Sequence, residues 1–222
     1  MRGHDLPAEG GIRRERTIDR GKTMKATDIL QEEHRVILRV LQCLSAAADR
    51  AEKEAGLDVE SIPKMLEFFR GFADRCHHGK EEAHFFPVAR QRGVGCAPAS
   101  LDSLRAEHEE GRGHIRVMEE YLGAAGRGDS QATARFLQHA RQYVQLLTDH
   151  IGKEDHCLFP TADTLLSTAD HEALAKAFEE VEQQEMGAGT HERFHALADE
   201  LCAQWHVPIP QHSPDPSGCS HT

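Results

Sequence analysis

The sequence predicts an all-α protein: two similar helical hairpins forming an up-down four-helix bundle, followed by a C-terminal helical appendage. Three observations carry that prediction. Aromatic residues make up 5% of the 222 residues, with one Trp and two Tyr, a composition that favours helices over sheets. Apolar residues recur at helical spacing along four long segments. One phrase is also written twice: His77-His78-Gly79-Lys80-Glu81-Glu82-Ala83-His84-Phe85-Phe86-Pro87 returns as His150-Ile151-Gly152-Lys153-Glu154-Asp155-His156-Cys157-Leu158-Phe159-Pro160, at an offset of 150 − 77 = 73.

Residues 1–24 show no periodicity and read as a disordered leader, or as sequence upstream of a start at Met24. The four helices fall within 25–162. The first opens at Asp28 as N-cap, with Gln31 three residues on. Its stripe runs Ile37, Leu38, Leu41, Leu44, Ala48, and His34 extends it by one turn. The second starts near Ser61 with Pro63 in its first turn. It carries Leu66, Phe69, Ala73, Cys76, His77, Glu81, His84 and Val88, with Pro87 ending or kinking it. The third follows Pro98 and Ser100, with Leu101, Leu104, His108, Ile115, Met118 and Leu122 on one face. The fourth carries Phe136, Ala140, Tyr143, Leu147, His150, Ile151, Glu154 and Leu158, and Pro160 should terminate it.

Short connections at Gly56, Gly93–Gly95 and Gly123–Asp129 make neighbouring helices antiparallel. The repeat reaches beyond the phrase, since Glu33-His34 matches Glu107-His108 (107 − 33 = 74). Residues 163–206 form the extension: one helix capped by Asp170 and running to Met186, another from His191 to Trp205, both expected on the outside. Residues 207–222 read as a disordered tail.

A formal charge of −11 argues against nucleic acid or anionic lipid as partner. No apolar run approaches a membrane span and no signal-type segment opens the chain, so a cytoplasmic location is expected. None of the six cysteines forms a CxxC pair. Buried free thiols are the expectation.

Six residues in the apolar stripes carry chemistry: His34, His77, Glu81, His108, His150 and Glu154. A single histidine there is usually a core residue bonded to a carbonyl. Two inward glutamates change the weighing, because a buried carboxylate costs several kcal/mol or more unless a cation compensates it. Lys80 and Lys153 stand one residue off that turn and read as solvated heads. Imidazole with carboxylate and no thiolate suits iron, manganese or zinc. A carboxylate can bridge two ions roughly 3.5–4 Å apart. The symmetric count then gives each ion two histidines and one oxygen from each glutamate.

The arrangement His…His-x-x-x-Glu…His…His-x-x-x-Glu, with Phe-Pro after each half, resembles the hemerythrin-like HHE cation-binding family over about residues 28–160. The resemblance implies a four-helix bundle around a non-haem di-iron centre that binds O2, NO or a related small molecule such as peroxide. It makes His34, His77, His108 and His150 terminal ligands, with Glu81 and Glu154 as bridges. Two positions depart from the oxygen-carrying members. Arg112 stands where they have a second histidine on helix three, and their last bridge is an Asp one residue further along than Glu154. These departures point toward sensing, stress response or iron handling. His84, three residues after Glu81, could be a seventh ligand but reads rather as a hydrogen-bond partner of the ligands or a rim residue, and Arg112, one turn past His108, as a residue beside the site or a surface arginine; His78, His114 and His156 read as solvated. No residue is singled out as catalytic.

Three other readings stay open. His191-Glu192-Arg193-Phe194-His195 matches the zinc-hydrolase pattern, with two histidines on zinc and Glu192 as base. A ferritin-like di-iron oxidase needs Glu-x-x-His twice; Glu81-Glu82-Ala83-His84 supplies it once, and Cys157 stands at the second place. A metal-free helical interaction protein would be indifferent to chelators.

Overall fold

The computed structural model describes residues 24–54, 56–95, 100–185, 187 and 189–208. The expectations for the leader, the tail beyond Pro208, Cys96, Pro98, Met186 and Cys219 lie outside the described residues. Within them the chain is all-helical, with no strand. We number six helices: α1 (Ala26–Glu54), α2 (61–91), α3 (Leu101–Ala125), α4 (130–165), α5 (168–185) and α6 (Thr190–Gln204). None of them is long and apolar enough to cross a membrane.

Side-chain acceptors begin most of the helices. Asp58 accepts from the N–H groups of Glu60 and Ser61 ahead of α2, Ser100 from Ser103 in α3, and Asp129 from Gln131 and Ala132 in α4. Two caps differ from expectation. Helix α1 starts two residues before Asp28, whose carboxylate accepts from Lys25 N–H as a first-turn acid. Asp163 draws the start back by binding Lys25 Nζ and Thr27 Oγ1, each at 2.6 Å. In α5 the cap is Ser167, and Asp170 is its capping-box partner three residues on.

Neither Pro87 nor Pro160 ends its helix. Each lies immediately after a wide turn in which the N–H bonds five residues back, Phe86 to Glu81 and Phe159 to Glu154. An opened turn leaves room for the proline ring against the preceding carbonyls, so α2 runs on to Gln91 and α4 to Leu165.

Helices α1 to α4 pack in a closed ring, each against its neighbours in the chain and α4 back onto α1. Two apolar clusters fill the interior. One holds Ile37, Leu41, Leu44, Phe69, Phe72, Met118, Phe136 and Leu147. The other holds Leu30, Phe85, Leu104, Leu158 and Phe159. Along α1 and α3 the chain meets the second cluster first; along α2 and α4 it meets the first cluster first. Successive helices therefore alternate in direction, and a polar layer lies between the two clusters at one level on all four.

Helices α5 and α6 are part of this interior and not only its outer cover. Phe194, Ala198, Leu201 and Cys202 of α6 join the first cluster, Leu174 and Phe178 of α5 the second. A Cβ on Gly71 would stand 2.1 Å from Phe194 Cζ, so glycine is what lets α6 approach α2. Cys43, Cys76 and Cys202 are buried free thiols, as expected. Cys157 departs from that expectation: it is disulfide-bonded.

Phe194→Ala should lower unfolding free energy by about 3–5 kcal/mol, as for a core phenylalanine, read by chemical denaturation. A loss below about 1 kcal/mol, typical of a surface site, would make α6 a dispensable cover.

Candidate metal centre

Wide turns shape the polar layer. The backbone of α2 is underwound over Phe69–His78 and again over Glu81–Phe85. In such a turn each residue advances by less than 100° around the axis, so consecutive side chains stay closer in direction. His77 and His78 consequently both face inward: His78 is buried and stacks on His108 with ring centroids 3.8 Å apart. The expectation of a solvated His78 rested on regular helical spacing and fails for that reason. His156 is exposed as expected, while His114 is half-buried against His139.

The six residues singled out from the sequence meet in this layer, all fully buried or nearly so. His34, His77, Glu81 and Glu154 offer ligand atoms within 4.8 Å of one another, and so do His78, Glu81, His108 and His150. Glu81 belongs to both groups. Its oxygens stand 3.6 Å from His77 Nε2 and 3.5 Å from His108 Nε2. Glu154 Oε2 stands 3.2 Å from His34 Nε2 and 3.3 Å from His150 Nε2. Both carboxylates thus span the two groups.

Behind four of the imidazoles stands a carboxylate. Asp155 faces His34 Nδ1 at 2.8 Å, Glu33 faces His77 at 2.9 Å, Glu82 faces His108 at 2.8 Å and Glu107 faces His150 at 2.9 Å. An ionised carboxylate only accepts, so each Nδ1 carries the proton and each Nε2 is aimed at the centre. These acids obey the repeat (107 − 33 = 74; 155 − 82 = 73) and so do the lysines holding two of them, Lys80 on Glu33 and Lys153 on Glu107. Their recurrence at the phrase offset was the signal for them in the sequence. Lys80 is not a solvated head: it is 0% exposed, bound to Glu33 and Glu182. Arg112 lies behind the layer, bonded to Glu82, Asp74 and Glu109. His84 is half-buried and joins neither group.

Electrostatics mark the layer as built for cations. Burial, then Glu154, pushes the Glu81 carboxyl well above its ordinary range. Burial would raise Glu154 too, but His150 and His34 hold it well below. Burial, then His34, pushes His77 down to about 4. Against burial, Glu154 and Glu107 lift His150 to about 9, a proton doing at Nε2 what a cation would do. Among the described residues nine buried side-chain atoms lack a hydrogen-bond partner, and seven of them belong to His34, His77, His78, Glu81 and Glu154. At roughly 1–3 kcal/mol each, orphaning them would cost on the order of a whole domain's stability. The donor set of imidazole and carboxylate fits iron, manganese or zinc, and the orphaned atoms fit a bound cation.

The alternative motifs fare differently. The His191 and His195 rings are 4.6 Å apart, but Glu192 is exposed. The ligand group containing His191 consists of Glu33 and Glu182, without His195. The ferritin-like reading needs glutamates from α1 and α3; those helices supply His34 and His108, with Glu33 and Glu107 behind other histidines.

Helices enclosing a buried layer of paired carboxylates and inward imidazoles define a helical metal-binding class. The family model described as the hemerythrin HHE cation binding domain matches residues 25–162, more than half of the chain, and the protein belongs to that family. Uncharacterised proteins of Mycobacterium tuberculosis and Mycobacterium bovis are 25% identical over 82% of this chain and 70% of their own length. A protein of Acinetobacter baylyi named UDP-N-acetylmuramoylalanine–D-glutamate ligase is 25% identical over 71% of this chain but only 35% of its own. No solved structure matches significantly.

Glu82 supplies a pH test. Burial would raise it, but hydrogen bonds from His108 and Arg112 hold it at about 2. A depressed carboxylate stabilises the fold above its unfolded value near 4.3 and loses that contribution as pH falls toward 2. Glu82→Gln should cost about 1 kcal/mol at pH 7, allowing for its partial exposure, and flatten the stability loss between about pH 4 and 2. Urea midpoints against pH would read this; parallel acid limbs in both proteins would contradict it.

Proposed function

We propose that the chain is a hemerythrin-like protein in which α1 to α4 form an up-down four-helix bundle around two carboxylate-bridged metal ions, iron in the first place. Glu81 carries this reading, because one side chain shared by two four-residue ligand groups is what a bridge requires. Glu154, within 3.3 Å of a histidine on either side, is the second bridge. His34 and His77 would hold one ion; His108 and His150 would hold the other, joined by His78. Manganese or zinc would accept the same atoms.

A bound iron pair would supply Lewis acidity and redox chemistry toward O2, NO or peroxide. The chain's own residues supply orientation and enclosure. Four carboxylates fix the imidazoles, the apolar clusters keep bulk water from the layer, and Phe159 and Phe86 stack on His34 and His108. A cavity of about 200 Å³, lined by Phe69, Tyr143, Leu147, Gly111 and Ile115, reaches His78 and His108 and provides a route for a small molecule. The departures at Arg112 and Glu154 from the oxygen-carrying pattern support a role for the protein in sensing, stress response or iron handling.

Protein loaded anaerobically with iron and then exposed to air should hold about two irons per chain and absorb in the near ultraviolet. NO, O2 and peroxide should each change that spectrum. Glu81→Ala should abolish binding of the pair, and His77→Ala should weaken it by at least tenfold, as for loss of a ligand or its orienting partner. Chelation should lower the thermal midpoint of the native protein. Colourless protein with a chelator-insensitive midpoint would sink the proposal.

A further inference from the structure

Resting on that reading, we propose that Glu182 on α5 and His191 on α6, both beyond the family-matched region, are positioning residues for the metal centre. Through Glu33 and Lys80 they hold His77, and they make one metal position depend on the C-terminal helices while the other does not.

The argument starts from the two copies of the phrase. In each, a histidine is backed by a glutamate from the preceding helix, and a lysine three residues later grips that glutamate: His77–Glu33–Lys80 and His150–Glu107–Lys153. Sequence makes the trios equivalent, but their surroundings differ. Lys153 is 29% exposed and Glu107 18%, so water can screen and reorient that trio. Lys80 is 0% and Glu33 3% exposed. A lysine and a glutamate sealed from water need every charge and lone pair matched, because the interior screens little and an unmatched ion costs several kcal/mol.

The matching groups come from α5 and α6. Lys80 Nζ reaches Glu182 Oε1 at 2.7 Å, giving the ammonium a second anion. His191 Nε2 stands 3.3 Å from Glu33 Oε1, on the oxygen that also takes Lys80. Glu33 Oε2 is left for His77 Nδ1, at 2.9 Å. Lys80 and His191 thus occupy one oxygen of Glu33 and leave the other to His77, which is presented with Nε2 toward Glu81. His191 is itself fixed, tilted against Phe72 at 5.3 Å between ring centroids, and Lys80 lies over Phe178.

By spacing alone Glu33, Glu182 and His191 could hold a metal ion. Lys80 binds both carboxylates, so the chain provides the cation itself. The histidine of the zinc-hydrolase motif thus serves the hemerythrin-like centre instead of a separate zinc.

The test titrates full-length, metal-free protein with Fe(II) under anaerobic conditions, using chelator competition for affinity and Mössbauer spectra to tell the two irons apart. The variants are His191→Leu, His191→Gln, Glu182→Gln and, as the mirror control, Glu107→Gln. His191→Leu and Glu182→Gln should weaken one iron by about tenfold, the scale for outer-shell partners, and alter one Mössbauer doublet only. His191→Gln keeps an N–H donor and should restore most of the loss. Glu107→Gln should weaken the other iron, adding independently to His191→Leu.

Equal behaviour of the Leu and Gln variants, or loss of both irons in step with a lower metal-free melting temperature, would reduce the residues to packing and overturn the proposal. Two irons bound normally in His191→Leu would overturn it while leaving the di-metal reading intact. A wild type that binds no iron would overturn both. Should His191→Leu fail to fold, Glu182→Gln, at a partly exposed position, decides the outcome alone.

Discussion

Two acidic side chains buried among histidines set the terms for the rest of the molecule. Glu81 and Glu154 are sealed from solvent within reach of imidazole nitrogens on each side. A pair of carboxylates in that position repels itself and cannot be hydrated. The surrounding arrangement answers this one difficulty: nitrogen lone pairs are turned inward, a ring of outer acids fixes four of the imidazoles, and basic groups hold three of those acids. Glu33 and Glu107 are gripped by lysines, Glu82 by Arg112. Charge alternates outward in shells, and seven of the nine unpartnered buried atoms among the described residues lie at the middle.

Placing such a layer inside a helical protein has a structural cost that the fold distributes. Apolar clusters on either side of the layer supply the burial that keeps the helices together. The wide turns supply what regular helices cannot. They bring His77 and His78 to the same interior and let Pro87 and Pro160 follow without a break. Underwound turns are rare in helices, and their concentration at the ligand-bearing segments marks where side-chain placement outweighs local backbone preference.

The chain also shows how a repeat becomes unequal. Both hairpins carry the same trio of histidine, glutamate and lysine, yet α5 and α6 cover only one of them. Glu182 and His191 complete the covered trio, whereas the other lies beside the cavity that reaches His78 and His108. One sequence device is thereby used in a dry setting and in a more exposed one, which gives the two sides of the layer different access to solvent.

The repeat, the four helical stripes and the level of six buried polar residues were all legible in the sequence, because helical periodicity is local and a motif written twice is its own control. Pairing of His77 with Glu81, one turn apart, needed no tertiary knowledge. His78, Lys80 and the bond between His191 and Glu33 did need it. The facing of His78 depends on an underwound backbone that regular spacing does not encode, and the burial of Lys80 depends on α5 arriving from a hundred residues away. Sequence set which side chains share a helical face. Long-range packing decided which of them lost their water, and desolvation is the reason those residues matter.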